Sequence, residues 1–177
     1  MSLDDIGCCY GTDKCSKGHN YLHTYERLLE PLRTQMTAIL EVGIWRGQSL
    51  FTWRSYYDVK IVGIDINPEV PTMENLGIHT FKADQMKPDQ LRAAVYILAP
   101  FDVIIDDGCH LPEAQEITFK ALWEYLKPGG YYFIEDCSMV ASFPPKDWER
   151  QFTQMPGESH DFMAWTRKPT RETLVPV

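Results

Sequence analysis

The sequence predicts an α/β fold in which a mostly parallel central sheet carries helices on both faces. Two observations predict it. Short, β-branched apolar runs recur along the chain, each closing on glycine or an acidic residue. Between them lie segments whose apolar residues fall at helical spacing.

Taken in order, residues 1–19 read as an irregular arm or lid, and Asn20–Leu32 as a leading helix. The first strand is Ala38–Gly43 and the second Lys60–Asp65. Gly47–Tyr57 between them puts Leu50, Trp53 and Tyr57 on one helical face, which makes a βαβ unit. The third strand is Ile78–Asp84 and the fourth Phe101–Asp107, with a helix over Pro88–Leu98 between them. The unbroken apolar stretch Val103–Ile105 suits a strand covered on both faces, at the sheet centre. Pro112 suits a first helical position, and Ala114, Ile117, Ala121, Leu122 and Tyr125 keep helical spacing until Lys127-Pro-Gly-Gly130 stops the helix. Tyr131–Glu135 is the fifth strand. Beyond Pro144-Pro145, His160–Thr166 and Glu172–Val175 are expected to form a closing antiparallel hairpin.

A chain of 177 residues, 44% hydrophobic and 12% aromatic, suffices for one core, so residues 1–177 are expected to form a single domain. The formal charge of −8, from 25 acidic and 17 basic residues, disfavours a nucleic-acid partner. No stretch approaches the roughly 20 apolar residues of a bilayer span and the N-terminus lacks a signal-peptide pattern, so a cytoplasmic protein with no membrane partner is expected. The five cysteines form no disulfide framework in a reducing compartment. Cys8, Cys9 and Cys15 with His19 or His23 lack the paired spacing of structural zinc ligands, so zinc is disfavoured there.

In open α/β sheets, ligands bind beyond the carboxyl ends of the strands. Here those ends are Glu41/Gly43, Asp65, Asp84/Gln85, Asp106/Asp107 and Glu135/Asp136. The turn Glu41-Val-Gly43-Ile-Trp-Arg-Gly47 sets glycines where the backbone bends and approaches a ligand before a helix. It departs from G-x-G-x-x-G. An acidic Glu41 beside it opposes a pyrophosphate but tolerates the cationic sulfonium and amino groups of S-adenosylmethionine. Asp65 closes the second strand, where a carboxylate accepts hydrogen bonds from ribose hydroxyls.

The sharper constellation is Asp106-Asp107-Gly-Cys-His110 with Glu135-Asp136 on the neighbouring strand. Side chains alternate along a strand, so one member of each acidic pair is expected to face a common site. Clustered carboxylates need protons or a cation, and an oxygen-preferring ion such as Mg²⁺ suits them better than zinc. His110, on a tight glycine turn, is the candidate general base, because histidine as a residue type can exchange a proton near neutral pH.

Tyr10-Gly-Thr-Asp-Lys14 with His19 and Tyr21, Ile39-Leu-Glu-Val-Gly43, Gly63-Ile-Asp-Ile66, Asp84-Gln85, Phe101 through His110, and Lys127-Pro-Gly-Gly130 through Ile134-Glu-Asp136 together carry a resemblance. From about residue 10 to residue 136 the chain resembles class I methyltransferases of the macrolide and rhamnosyl O-methyltransferase group, which includes the cephalosporin-hydroxylase-like proteins. That group usually has serine where Cys109 stands, a small change that leaves the flanking acid and histidine intact. The resemblance implies a Rossmann-like methyltransferase fold, S-adenosylmethionine as cofactor, and a divalent metal that binds sugar hydroxyls. It implies Asp107 and Asp136 as metal ligands with Glu135 as a further one, His110 as base, and the Gly-Thr-Asp-Lys arm closing over the cofactor. The chain is shorter than the antibiotic-tailoring members and is expected to lack their additional N-terminal domain.

The expected cofactor-binding set is Glu41, Gly43, Gly47, Asp65, Asp84, Gln85 and Asp106. The expected reaction is metal-assisted methyl transfer to a hydroxyl of a sugar or polyhydroxylated metabolite, and the reading admits a homo-oligomer. The rivals are an Fe-dependent oxygenase, disfavoured because the cluster holds one histidine among several acids, an NAD-dependent dehydrogenase, and a non-catalytic binding module.

Overall fold

The computed structural model describes residues 1–153 and 162–170. Five helices and seven strands stand among them: α1 (Leu3–Tyr10), α2 (Leu22–Leu29), β1 (Ala38–Val42), α3 (Gln48–Tyr57), β2 (Lys60–Asp65), β3 (Ile78–Lys82), α4 (Pro88–Val95), β4 (Phe101–Asp106), α5 (Pro112–Leu122), β5 (Leu126–Cys137), β6 (Glu149–Phe152) and β7 (Phe162–Arg167). The sheet order is β3-β2-β1-β4-β5-β7-β6. The first five strands run parallel, β7 lies antiparallel to β5, and β6 lies antiparallel to β7. The expected fold class holds.

Alternation along the buried strands divides the core in two. Ile39, Ile61, Ile105 and Phe133 pack under Leu22, Tyr25, Leu29, Leu50 and Trp53 of α2 and α3. Leu40, Ile104, Tyr132 and Ile134 face Leu91 and Val95 of α4 and Leu122 of α5 on the other side. β1 and β4 are the central neighbours, as their continuous apolar runs require. The strand order reverses between them, with β2 and β3 built outward on one side and β5 on the other. That reversal opens a crevice at their carboxyl ends.

Three expectations need correction. Within the arm expected to be irregular, residues 3–10 form α1, started by a capping box in which Ser2 accepts from the Asp5 N–H and Asp5 accepts from the Ser2 N–H. The rest of the arm is tied down by backbone bonds, His19 N–H to the Asp13 carbonyl at 2.7 Å and Leu22 N–H to the Lys14 carbonyl at 3.0 Å. β5 begins at Leu126 and takes in the Lys127–Gly130 stretch, because Leu126 pairs with Phe101 across a register shift in β4. The expected antiparallel C-terminal pair is present, but Phe162–Arg167 lies between β5 and Glu149–Phe152, so its outer partner is this half-exposed edge strand; Glu172–Val175 lies outside the described residues. Among the described residues, no helix is long and apolar enough to cross a membrane.

Candidate functional site

A cleft of about 290 Å³ opens at the crevice, lined by Gly43, Asp65, Ile66, Asp84, Gln85 and Met86 with Gly108 and Cys109. Gly43 adopts φ +85°, and a Cβ there would meet the Asp107 carbonyl oxygen at 1.9 Å, so only glycine lets the ends of β1 and β4 approach this closely. Asp65 organises the wall. Its Oδ2 accepts from the backbone N–H groups of Ile44 and Trp45 at 3.0 and 3.1 Å, and its Oδ1 accepts from Asn67 at 2.8 Å. Asp84 accepts from the Met86 N–H at 2.9 Å. Gln85 clasps the floor, donating to Asp106 Oδ1 at 2.7 Å and accepting from the Cys109 N–H at 2.9 Å.

Three residues of the expected cofactor set stand behind the wall. Glu41 is fully buried and accepts from Ser49 Oγ at 2.8 Å and Trp53 Nε1 at 3.0 Å, which fixes α3 to β1. Gly47 caps α3 with φ +77° and packs against Val70. Asp106 is buried beneath Gln85, and burial pushes its carboxyl up to about 8. A carboxyl raised from 3.8 in this way stabilises the fold most below that value, and the contribution is lost as pH rises towards 8. Asp106→Asn keeps an acceptor for Gln85 and removes this loss. In denaturant titrations its stability relative to the wild type is expected to rise by on the order of 1–3 kcal/mol between about pH 5 and pH 8. A pH-independent difference would show that the wild-type carboxyl carries no such penalty.

Beside the cleft, ligand atoms of Asp107 and His110 on the same turn and of Asp136 on β5 lie within 4.8 Å of one another. His110 Nε2 stands 4.0 Å from Asp136 Oδ2. His110 and Asp136 both hold left-handed backbones, φ +58° and +53°, an uncommon conformation for such residues and one that clusters at sites whose surroundings enforce it. The β5–β7 register breaks between Ile134 and Cys137, and this irregularity sends Glu135 and Asp136 to different partners. Asp136 Oδ1 accepts from the Tyr21 hydroxyl at 3.2 Å and lies 3.8 Å from His19 Nδ1, which pairs with Thr153 Oγ1 at 2.8 Å.

Glu135, expected as a further metal ligand, turns inward. Its Oε1 accepts from the Tyr25 hydroxyl at 2.6 Å and its Oε2 from the Lys14 ammonium at 3.0 Å, so neither oxygen joins the Asp107–His110–Asp136 group. Lys14 is the residue that sequence reasoning missed. Its side chain is 2% exposed, and its ammonium also binds Asp107 Oδ2 and lies 3.6 Å from Glu41 Oε1. Burial opposes its charge, yet the carboxylates of Asp107, Glu135 and Glu41 outweigh burial and hold its pKa well above the usual lysine range. Burial raises all three carboxyls, Glu41 to about 7, while the ammonium pulls each back. A smaller cavity of about 90 Å³ lies on the far side of Gly43, lined by Thr12, Asp13 and Lys14 of the arm and by Gln48 and Ser49 at the start of α3.

Residues 40–137 match a family model described as a methyltransferase domain. The chain is 32% identical over 142 residues to mycinamicin VI 2''-O-methyltransferase of Micromonospora griseorubida, a match covering 76% of this chain and 35% of that protein. It is 35% identical over 142 residues to 8-demethyl-8-(2-methoxy-alpha-L-rhamnosyl)-tetracenomycin-C 3'-O-methyltransferase of Streptomyces olivaceus, covering 76% and 36%. The chain thus spans about a third of the length of the curated relatives it matches. The MycE methyltransferase from the mycinamycin biosynthetic pathway, solved in complex with Mg and SAH, superposes with a TM-score of 0.69 at 31% identity over 77% of this chain and 39% of that one. CalS11, a calicheamicin methyltransferase, shares the fold at a TM-score of 0.60 and 14% identity. The crevice at the β1/β4 reversal, the acidic walls and the family match agree: this chain belongs to the methyltransferase-domain family.

Proposed function

We propose that this domain binds S-adenosylmethionine in the crevice and transfers its methyl group to a hydroxyl of a sugar or other polyhydroxylated metabolite. The observation that carries this reading is adjacency. The Asp107–His110 turn both lines the cleft, through Gly108 and Cys109, and supplies the acid–histidine cluster, so donor and acceptor sites share a wall. Asp65 and Asp84 offer carboxylate oxygens to hydroxyls of the nucleoside, and the smaller cavity beyond Gly43 has room for part of the amino-acid end. Relatives acting on sugar hydroxyls of macrolide and tetracenomycin compounds support the acceptor class.

The donor set fits a hard divalent cation, Mg²⁺ above all. Asp107 and Asp136 supply carboxylate oxygens within reach of one another, and Lys14 alone does not balance the surrounding acids. When bound, such an ion would polarise an acceptor hydroxyl and lower its pKa. Asp107 and Asp136 would hold it. His110 takes the hydroxyl proton on a ring nitrogen as the acceptor oxygen attacks, and the close apposition of cleft and cluster supplies the orientation that in-line transfer requires. Trp45, Ile66, Leu111 and Met139 stand exposed around this carboxyl edge, where they would cover the apolar parts of donor and acceptor.

Calorimetric titration of the purified protein with S-adenosylhomocysteine, and separately with NAD, tests the reading with Mg²⁺ present and after chelation. Micromolar affinity for S-adenosylhomocysteine and none for NAD is the expected result. Binding of NAD alone would replace methyl transfer with nicotinamide chemistry.

A further inference from the structure

We propose that Asp4, Cys8 and Cys15 form a second cation site, suited to a thiophilic divalent ion of the zinc class, that fastens the N-terminal arm. Their ligand atoms lie within 4.8 Å of one another, and they share no residue with the Asp107–His110–Asp136 group. Asp4 and Cys8 are one turn apart on α1 and therefore face the same way. The loop after α1 folds back and brings Cys15, which is buried, against them.

The carboxylate is already aimed. Asp4 accepts from the Ser16 N–H at 2.7 Å through Oδ1 and from Ser16 Oγ at 2.6 Å through Oδ2, which fixes it beside the two thiols and leaves lone pairs on both oxygens. Two sulfurs select a soft ion over Mg²⁺. With one carboxylate oxygen they make three of the four tetrahedral positions, and water can reach the fourth from the half-exposed Asp4 and Cys8 side. As the ion binds, each thiol releases its proton to solvent, giving two thiolates and two protons per ion. The sequence disfavoured zinc here because the cysteines and histidines lack paired ligand spacing; the fold supplies Asp4 instead of a second pair, while the His19 ring pairs with Thr153 and faces Asp136.

The consequence reaches the methyltransferase cleft without depending on the proposed reaction. Cys15 follows Lys14 directly, and Lys14 anchors Asp107 and Glu135. An ion that staples Cys15 to α1 holds the lysine-bearing loop against the sheet.

The test uses the full chain, reduced and freed of metal, titrated with Co²⁺ as a spectroscopic stand-in for zinc. A thiolate-to-cobalt charge-transfer band is expected, displaced by stoichiometric Zn²⁺ but not by excess Mg²⁺. Cys8→Ser should abolish the band, Asp4→Asn should weaken cobalt binding more than about tenfold, and Cys9→Ser should leave it intact. Cys8 is half-exposed, so its variant is expected to fold, which circular dichroism checks. No band in the reduced, folded protein, or a band that survives Cys8→Ser, would overturn the site and leave the two cysteines as packing residues.

Discussion

Lys14→Met is expected to destabilise the protein by about 3–5 kcal/mol near neutral pH, the cost of leaving buried charges without their partner. Methionine matches much of the lysine stem in length and apolar character, so the loss reports the ammonium rather than a void. The ammonium stands against Asp107, Glu135 and Glu41, and each of these carboxyls is already raised by burial. Removing it raises them further. A carboxyl raised above its unfolded value stabilises the fold at low pH and progressively loses that contribution as pH rises through the folded value. The deficit of the variant should therefore shrink on acidification towards about pH 5. Denaturant unfolding at several pH values measures both quantities. A deficit that does not change with pH would mean that Lys14 acts through packing alone.

The Lys14 result bears on what could be read from the sequence. The strand runs, their order and the crevice were legible because each depends on local pattern, and Val103–Ile105 marked β4 as central before any pairing was known. The strand-end acids were legible as well, and their clustering already called for protons or a cation. One such cation sat in the Gly-Thr-Asp-Lys arm, where a lysine in a short loop reads as solvated, and only the return of the arm over β1, β4 and β5 buries it. Ser2-Leu-Asp-Asp5 did carry a helix-start signal for α1. Strand alternation signalled that Glu135 and Asp136 would part, but which of the two faces the site had no such local signal. It depends on the break in pairing with β7, a strand whose partner β6 is short, polar and half-exposed, and therefore without alternation.

His110→Ala is expected to lower methyl transfer about 10²–10⁴-fold while leaving S-adenosylhomocysteine affinity within about twofold. The asymmetry follows from geometry. The turn that carries His110 lines the cleft through Gly108 and Cys109, whereas the imidazole faces Asp136. Losing the ring should thus remove a proton acceptor without altering the donor wall. Asp136→Asn provides the contrast, because it keeps the ring and removes a carboxylate from the proposed metal pair, so Mg²⁺ affinity should fall with it. Turnover of a sugar hydroxyl acceptor accepted by the wild type, read beside calorimetric binding of S-adenosylhomocysteine and of Mg²⁺, separates the two roles. If His110→Ala abolished cofactor binding as well as turnover, the histidine would be holding the turn in its left-handed conformation rather than moving a proton. If turnover were unchanged, the acceptor would lose its proton to another group or directly to solvent, and the cluster would serve the metal alone.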